Sequence, residues 1–125
     1  MAQLRPRVIL AGSDSWTDAA AIEVALCEVI EAYGPRAILV HAGSPGAAAI
    51  ARDLWRGWGL DDEPHPAPAD LGALGGRWSA AAIVAAGAEV ALVFAPADDR
   101  ESAAALCDAL ARLAGIPTIR PPSAG

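Results

Sequence analysis

The sequence predicts a single α/β domain with three layers, in which a mostly parallel sheet of about five strands has helices on both faces. Four segments with helical spacing each end at a glycine, and each is followed by an apolar strand. This alternation is typical of parallel sheets, because a helix carries the chain back between two parallel strands. The 125 residues suffice for one domain. We place it at residues 1–120 and expect 121–125 to be a flexible tail.

The first half of the chain predicts two strands, each followed by a helix. Apolar runs mark the strands, and apolar residues spaced three and four apart mark the helices. Gly34 and Gly59 end the helices, since glycine readily adopts the left-handed conformation of a helix end. Thr17 and Ser44 are the expected N-caps. The predicted strands lie at 7–11 and 37–41, and the second helix lies at 45–58.

The second half of the chain begins with a stretch rich in proline and acid, which allows only a short edge strand at 62–65. A glycine-rich loop is expected at 71–78, followed by a short helix that Ser79 caps. Asp98 and Glu101 have the spacing of a capping box for the last helix. The remaining predicted elements are a helix at 80–86, a buried strand at 89–94 and a closing strand at 116–120.

Charge and composition exclude several classes of partner. The net charge is −6, and the nine basic residues are scattered arginines, so we do not expect a nucleic-acid ligand. No apolar run approaches the ~18–20 residues that cross a bilayer, and no signal-peptide core is present, so a cytoplasmic protein without membrane contact is expected. Cys27 and Cys107 lack metal-ligand spacing and lie on apolar helix faces, which predicts core thiols. No metal and no cofactor are predicted.

A strand–loop–helix segment carries the clearest functional signal. The strand at 37–41 is followed by a loop with Gly43 and Gly46 and then by an alanine-rich helix. The first amides of that helix point beyond the carboxyl end of the strand, where they favour an anion. In a parallel sheet, the loops 12–16, 42–46 and 95–100 meet at this edge. The sequence therefore predicts a site that holds a phosphate group.

Short motifs occur in a recognisable order along residues 7–120. They are Gly12-Ser13-x-x-Trp16-Thr17-Asp18, His41-x-Gly43-x-x-Gly46-Ala47, His65-Pro66-Ala67, Val84-Ala-Ala-Gly87-Ala-Glu89 and Ala114-Gly115-Ile116-Pro117. This order resembles the small YspA/YpsA-like members of the SLOG superfamily. That group of Rossmann-like domains also includes the LOG phosphoribohydrolases and the DprA-type DNA-processing proteins.

The resemblance implies a domain that binds a nucleotide or a nucleotide derivative, and the LOG branch hydrolyses an N-glycosidic bond. Matched positions and loop placement together give ten candidate ligand-binding residues. They are Gly12, Ser13, Asp14, Trp16, His41, Gly43, Ser44, Gly46, Arg77 and Ser79.

The chain departs from the family pattern where catalysis would be expected. Asp14 stands where the family has an arginine, Ala42 replaces a glycine, and 95–100 replaces a glycine-rich phosphate loop. These changes predict a sensor or binding module rather than a hydrolase, and no catalytic residue is assigned.

Two further hypotheses belong to other classes. In the first, the chain is a degenerate scaffold or a subunit of a homo-oligomer, since alanine-rich helices allow close approach and four tryptophans suit an interface. An exposed Trp55 would favour this hypothesis. In the second, Asp14, Asp98 and Asp99 converge on a metal ion. Loop residue Trp16 either stacks on a ligand or covers the core, and His41 either makes a core hydrogen bond or acts as a base.

Overall fold

The protein folds into a five-stranded, fully parallel sheet with the strand order β3-β2-β1-β4-β5. The structure is a computed structural model that describes residues 5–100 and 102–121. The strands are β1 Arg7–Gly12, β2 Ile38–His41, β3 Asp62–Pro64, β4 Val90–Phe94 and β5 Thr118–Ile119. The helices are α1 Ala19–Tyr33, α2 Ala47–Gly57, α3 Gly75–Ala85 and α4 Ala103–Leu113, and a 3-10 segment at Ala69–Leu74 precedes α3.

The core has two halves, one on each face of the sheet. Side chains of β1 alternate between them, with Leu10 in the α1/α2 half and Ile9 in the α3/α4 half. This alternation follows from the two-residue period of a strand. Trp55 of α2 is fully buried in the first half, and Cys107 of α4 is buried in the second. The predicted three-layer α/β fold is therefore confirmed, including an edge position for β3.

Three helices begin later than the sequence predicted. Asp18, rather than Thr17, caps α1, and its carboxylate accepts the amide hydrogen of Ala21. Gly46, rather than Ser44, is the N-cap of α2, without a side-chain hydrogen bond. Ser102 caps α4, so the predicted cap at Asp98 is wrong. Glu101, its expected capping-box partner, lies outside the described residues, as do 1–4 and 122–125.

Helix α3 begins earlier than the sequence predicted. The segment predicted as a loop at 71–78 is largely helical, so Ser79 lies inside α3 and does not cap it. The glycines at the start of α3 serve close packing. A Cβ at Gly75 would lie 2.8 Å from the carbonyl oxygen of Pro68, and a Cβ at Gly76 would lie 3.1 Å from the Cβ of Ala103. These glycines therefore let α3 contact the preceding segment and α4.

The exposure of the cysteines and of Trp55 bears on the core-thiol prediction and on the interface hypothesis. Cys27 is exposed, so the prediction of a core thiol is wrong for Cys27, whereas Cys107 is buried as expected. Trp55 is buried and donates its indole hydrogen to the carbonyl oxygen of Asp61 at 2.7 Å, so it supplies no exposed interface.

None of the described helices is long and apolar enough to cross a membrane.

Candidate functional site

A cavity of about 760 Å³ lies beyond the carboxyl ends of the strands. Leu10 and Gly12 of β1 form part of its wall, and the first residues of α2 and α4 form other parts. The chain places β2 on one side of β1 and β4 on the other, so the strand order reverses next to β1. This reversal is where open parallel sheets hold their ligands. The volume falls within the roughly 300–1,000 Å³ of small-molecule sites.

Two loops at the cavity are packed together through glycine. The carbonyl oxygen of Ser13 accepts the amide hydrogen of Ala47 at 3.2 Å, which joins the loop after β1 to the first turn of α2. A Cβ at Gly46 would lie 2.2 Å from that same oxygen, and a Cβ at Gly12 would lie 2.3 Å from the Cβ of Ala47. Gly46 also has a φ of +81°. Glycine is therefore needed at both positions to keep the loops in contact.

The starts of two helices line the cavity. Ala48 at the start of α2 and Ala103 and Ala104 at the start of α4 all line it. No group in 5–100 or 102–121 accepts a hydrogen bond from these three amides. Helix N-termini carry partial positive charge, so both helix starts favour an anion in the space between them.

The side chains of the cavity are small, and most are apolar. Hydroxyl groups come from Ser13, Ser15, Ser44 and Ser102. Among the described residues that line the cavity, Asp14 is the only one with a carboxylate, and none is an arginine. The acids of the loop after β4, Asp98 and Asp99, do not line it. The cavity is therefore less acidic than the sequence suggests.

The structure brings together five of the ten predicted ligand-binding residues. Those that line the cavity are Gly12, Ser13, Asp14, Gly43 and Ser44. Those that do not line it are Trp16, His41, Gly46, Arg77 and Ser79.

Trp16 and Ser79 have contacts within the fold. Trp16 packs edge-on against Phe94, with 5.4 Å between ring centroids, and donates its indole hydrogen to the carbonyl oxygen of Asp18. Ser79 is buried and donates its hydroxyl hydrogen to the carbonyl oxygen of His65. Trp16 therefore covers the core, and Ser79 fixes the chain after β3. Arg77 is exposed on α3.

His41 makes the core hydrogen bond that the sequence allowed. Its Nε2 lies 2.6 Å from Oδ2 of Asp62, whose carboxylate also accepts two hydrogen bonds from Arg56. Arg56 holds the pKa of Asp62 below its usual value, so Asp62 is ionised and the His41 Nε2 donates. Burial lowers the pKa of His41, against the opposing effect of Asp62. His41 is therefore neutral and ties β2 to β3.

One nitrogen of His41 has no hydrogen-bond partner among the described residues. Nδ1 is buried without a hydrogen bond to any described group, and a Cβ at Gly43 would lie 3.9 Å from it. In the neutral ring Nδ1 is an acceptor, so a donor such as a water molecule fits beside it.

Sequence reasoning missed the contribution of α3 and α4 to the cavity. Gly76 and Ala80 line it from α3, and Ser102 and Cys107 line it from α4. Burial raises the pKa of the Cys107 thiol to about 11, so this group is uncharged at neutral pH. Ser102 ahead of three alanines was the available signal for the helix start, but the acids at 98–99 offered a competing cap.

The metal hypothesis receives no support from the geometry. Within 5–100 and 102–121, which include Asp14, Asp98 and Asp99, no three histidine, cysteine or acidic side chains converge as metal ligands. Asp99 instead accepts hydrogen bonds from the amide and hydroxyl groups of Ser102.

The chain matches no protein-family model, and no curated protein matches its sequence.

Proposed function

We propose that this protein binds a nucleotide or a nucleotide-derived phosphorylated small molecule in the cavity beyond β1 and β2. The observation that carries the proposal is the meeting of two helix starts in one cavity of about 760 Å³. Their amides, at Ala48 and at Ala103–Ala104, have no acceptor within 5–100 and 102–121. A phosphate between them would accept main-chain hydrogen bonds without an arginine.

The apolar part of the cavity suits the remainder of such a ligand. Leu10, Ile83 and Cys107 supply apolar surface to the same cavity. The serine hydroxyls can donate to or accept from sugar hydroxyls. Asp14 can accept from a sugar hydroxyl but repels additional negative charge, so a monophosphate fits better than a triphosphate.

The proposed role is that of a sensor or binding module, not of a hydrolase. Cleavage of an N-glycosidic bond needs charged groups positioned over the sugar, and Asp14 is the one carboxylate among the described lining residues. Binding alone requires no further group. A resemblance to the SLOG superfamily is consistent with this role and is part of the proposal.

The first test is thermal unfolding with and without ligand. A ligand at ten times its dissociation constant stabilises the folded state by about 1.4 kcal/mol, which raises the Tm of a domain of this size by about 3–6 °C. We expect this shift with millimolar adenosine monophosphate or ribose 5-phosphate and a smaller one with adenosine. An unchanged Tm with all three would contradict the proposal.

The second candidate function is that of a scaffold or oligomer subunit without a ligand. The observation that favours it is the exposed apolar surface of α3, where the Trp78 side chain is 54% exposed. Self-association together with an unchanged Tm in the ligand test would favour this candidate over the first.

A further inference from the structure

Helix α3 is apolar on its outer face as well as its inner face. The buried side of the helix includes Ala80 and Ile83, which pack in the core. On the opposite side Leu74, which directly precedes the helix, is 64% exposed and Trp78 is 54% exposed, and Ala81 and Ala85 are exposed as well. A helix that is apolar all round is normally buried on all sides. The outer face of α3 therefore lacks the cover that its composition calls for.

The four exposed residues form one continuous stripe, which we call the α3 stripe: Leu74, Trp78, Ala81 and Ala85. Their spacing of four, three and four residues keeps them on one side of the helix. The two large side chains lie in the N-terminal half, and the two alanines lie in the C-terminal half.

We propose that the α3 stripe binds the α3 stripe of a second copy of this chain, with the two helices antiparallel. In that arrangement Trp78 lies opposite the partner's Ala81, and Leu74 lies opposite the partner's Ala85. Each large side chain meets a small one, and the two-fold axis passes between positions 79 and 80. A parallel arrangement would instead place Trp78 against the partner's Trp78 and leave the alanines apart.

Charge also favours a second copy on this face. The protein has a net charge of −6, so two copies repel each other over most of their surfaces. None of the 15 acidic residues lies between Leu71 and Ala88, and α3 carries a single charged residue, Arg77. Two acidic copies therefore meet with least repulsion along α3.

The expected dimer is weak and reversible. A helix of 11 residues is roughly 16 Å long. A single pair of such helices buries less than the roughly 1,200 Å² of a standard interface. The interface is separate from the cavity, so it stands or falls independently of the proposed ligand.

Sedimentation velocity on the full chain, up to about 1 mM, tests the association. We expect a reversible monomer–dimer equilibrium. Trp78→Glu should weaken it by at least about tenfold. Val24→Glu is the matched control, because Val24 is 60% exposed on α1, on the other face of the sheet, and this variant should associate as the wild type does. A wild type that stays monomeric, or equal effects of the two substitutions, would overturn the proposal.

Disulfide cross-linking tests the antiparallel register. In a Cys27→Ser background, which removes the exposed native thiol, the double variant Leu74→Cys/Ala85→Cys should form a covalent dimer under mild oxidation. Neither single variant should do so, because two copies of position 74 would be roughly 16 Å apart, beyond disulfide reach. Equal cross-linking by the Leu74→Cys variant alone would contradict the register. No cross-link in the double variant would contradict the interface.

Discussion

The carbonyl oxygen of Ser13 accepts the amide hydrogen of Ala47 at 3.2 Å. One donor at the start of α2 is thus used inside the protein, and the loop after β1 is held against the helix. The next residue, Ala48, lines the cavity, and its amide has no acceptor among the described residues. The bond from Ala47 therefore positions the helix start, and the Ala48 amide is a donor that the proposed ligand could use.

The contact between the loop after β1 and the start of α2 predicts that alanine destabilises the fold more at Gly46 than at Gly59. Gly46→Ala should lower the free energy of unfolding by about 2–4 kcal/mol, because its Cβ would lie 2.2 Å from the Ser13 oxygen and its φ is +81°. Gly59→Ala is the control, with a φ of +78° and no atom near its Cβ, and should cost about 1 kcal/mol. Urea unfolding measures both. Equal losses would show that the loop contact contributes nothing.

Buried His41 predicts a loss of stability on acidification. Burial lowers its pKa in the folded state, so between that pKa and 6.5 the unfolded chain binds a proton that the folded chain does not. The free energy of unfolding should therefore fall between pH 7.5 and 5.5, with a slope from this group of up to about 1.4 kcal/mol per pH unit. His41→Gln should show a shallower slope over this range and an unchanged slope above pH 7.5. Identical slopes below pH 6.5 would contradict a neutral, buried His41.

The ion pair between Arg7 and Glu63 predicts a further loss of stability, at a lower pH than the loss due to His41. Arg7, with a smaller effect from His65, lowers the pKa of Glu63 from 4.5 to about 2. The ionised carboxylate therefore stabilises the fold above pH 4.5, and this contribution disappears as the pH falls toward 2. Because the Glu63 side chain is 35% exposed, Glu63→Gln should cost less than about 1 kcal/mol at pH 7. The urea midpoints of the wild type and of Glu63→Gln, compared between pH 7 and pH 3, measure this loss of stability. A deficit that persists undiminished at pH 3 would argue against the pair.

Removing the negative charge of Asp14 should increase the affinity of the cavity for an anion. Asp14→Asn removes the carboxylate that lines the cavity, and because this group is exposed the gain should be about three- to tenfold in the affinity for adenosine monophosphate. Asp98→Asn removes the same charge from an exposed residue outside the cavity and should change the affinity much less. Calorimetric titration of both variants compares them. Equal gains would indicate a general charge effect rather than a ligand in the cavity.

The sheet could be predicted from the sequence because its strands are uninterrupted apolar runs. Residues 90–94 are all buried, and a run of that kind has few alternatives to a central parallel strand. The helix starts could not be predicted as well. Asp98, Asp99 and Ser102 all make good caps, and tertiary contacts decide among them.

Only part of the cavity lining could be predicted, because tertiary contacts also decide where α3 begins and where His41 points. Gly75 and Gly76 suggest a flexible loop in the sequence, but in the fold they allow close contact with Pro68 and Ala103 and so begin α3. His41 was placed at the site because its strand ends there. Strand alternation instead turns it toward Asp62, on the face that α2 covers.

Amide chemical shifts during titration with adenosine monophosphate test the central claim most directly. The amides at the starts of α2 and α4 that have no acceptor among the described residues are the proposed phosphate ligands. We predict that the largest shifts occur at Gly43, Ser44, Ala48, Ala103 and Ala104, and that they saturate together. The absence of shifts at these amides at about 10 mM ligand, or saturable shifts confined to another surface, would contradict the account.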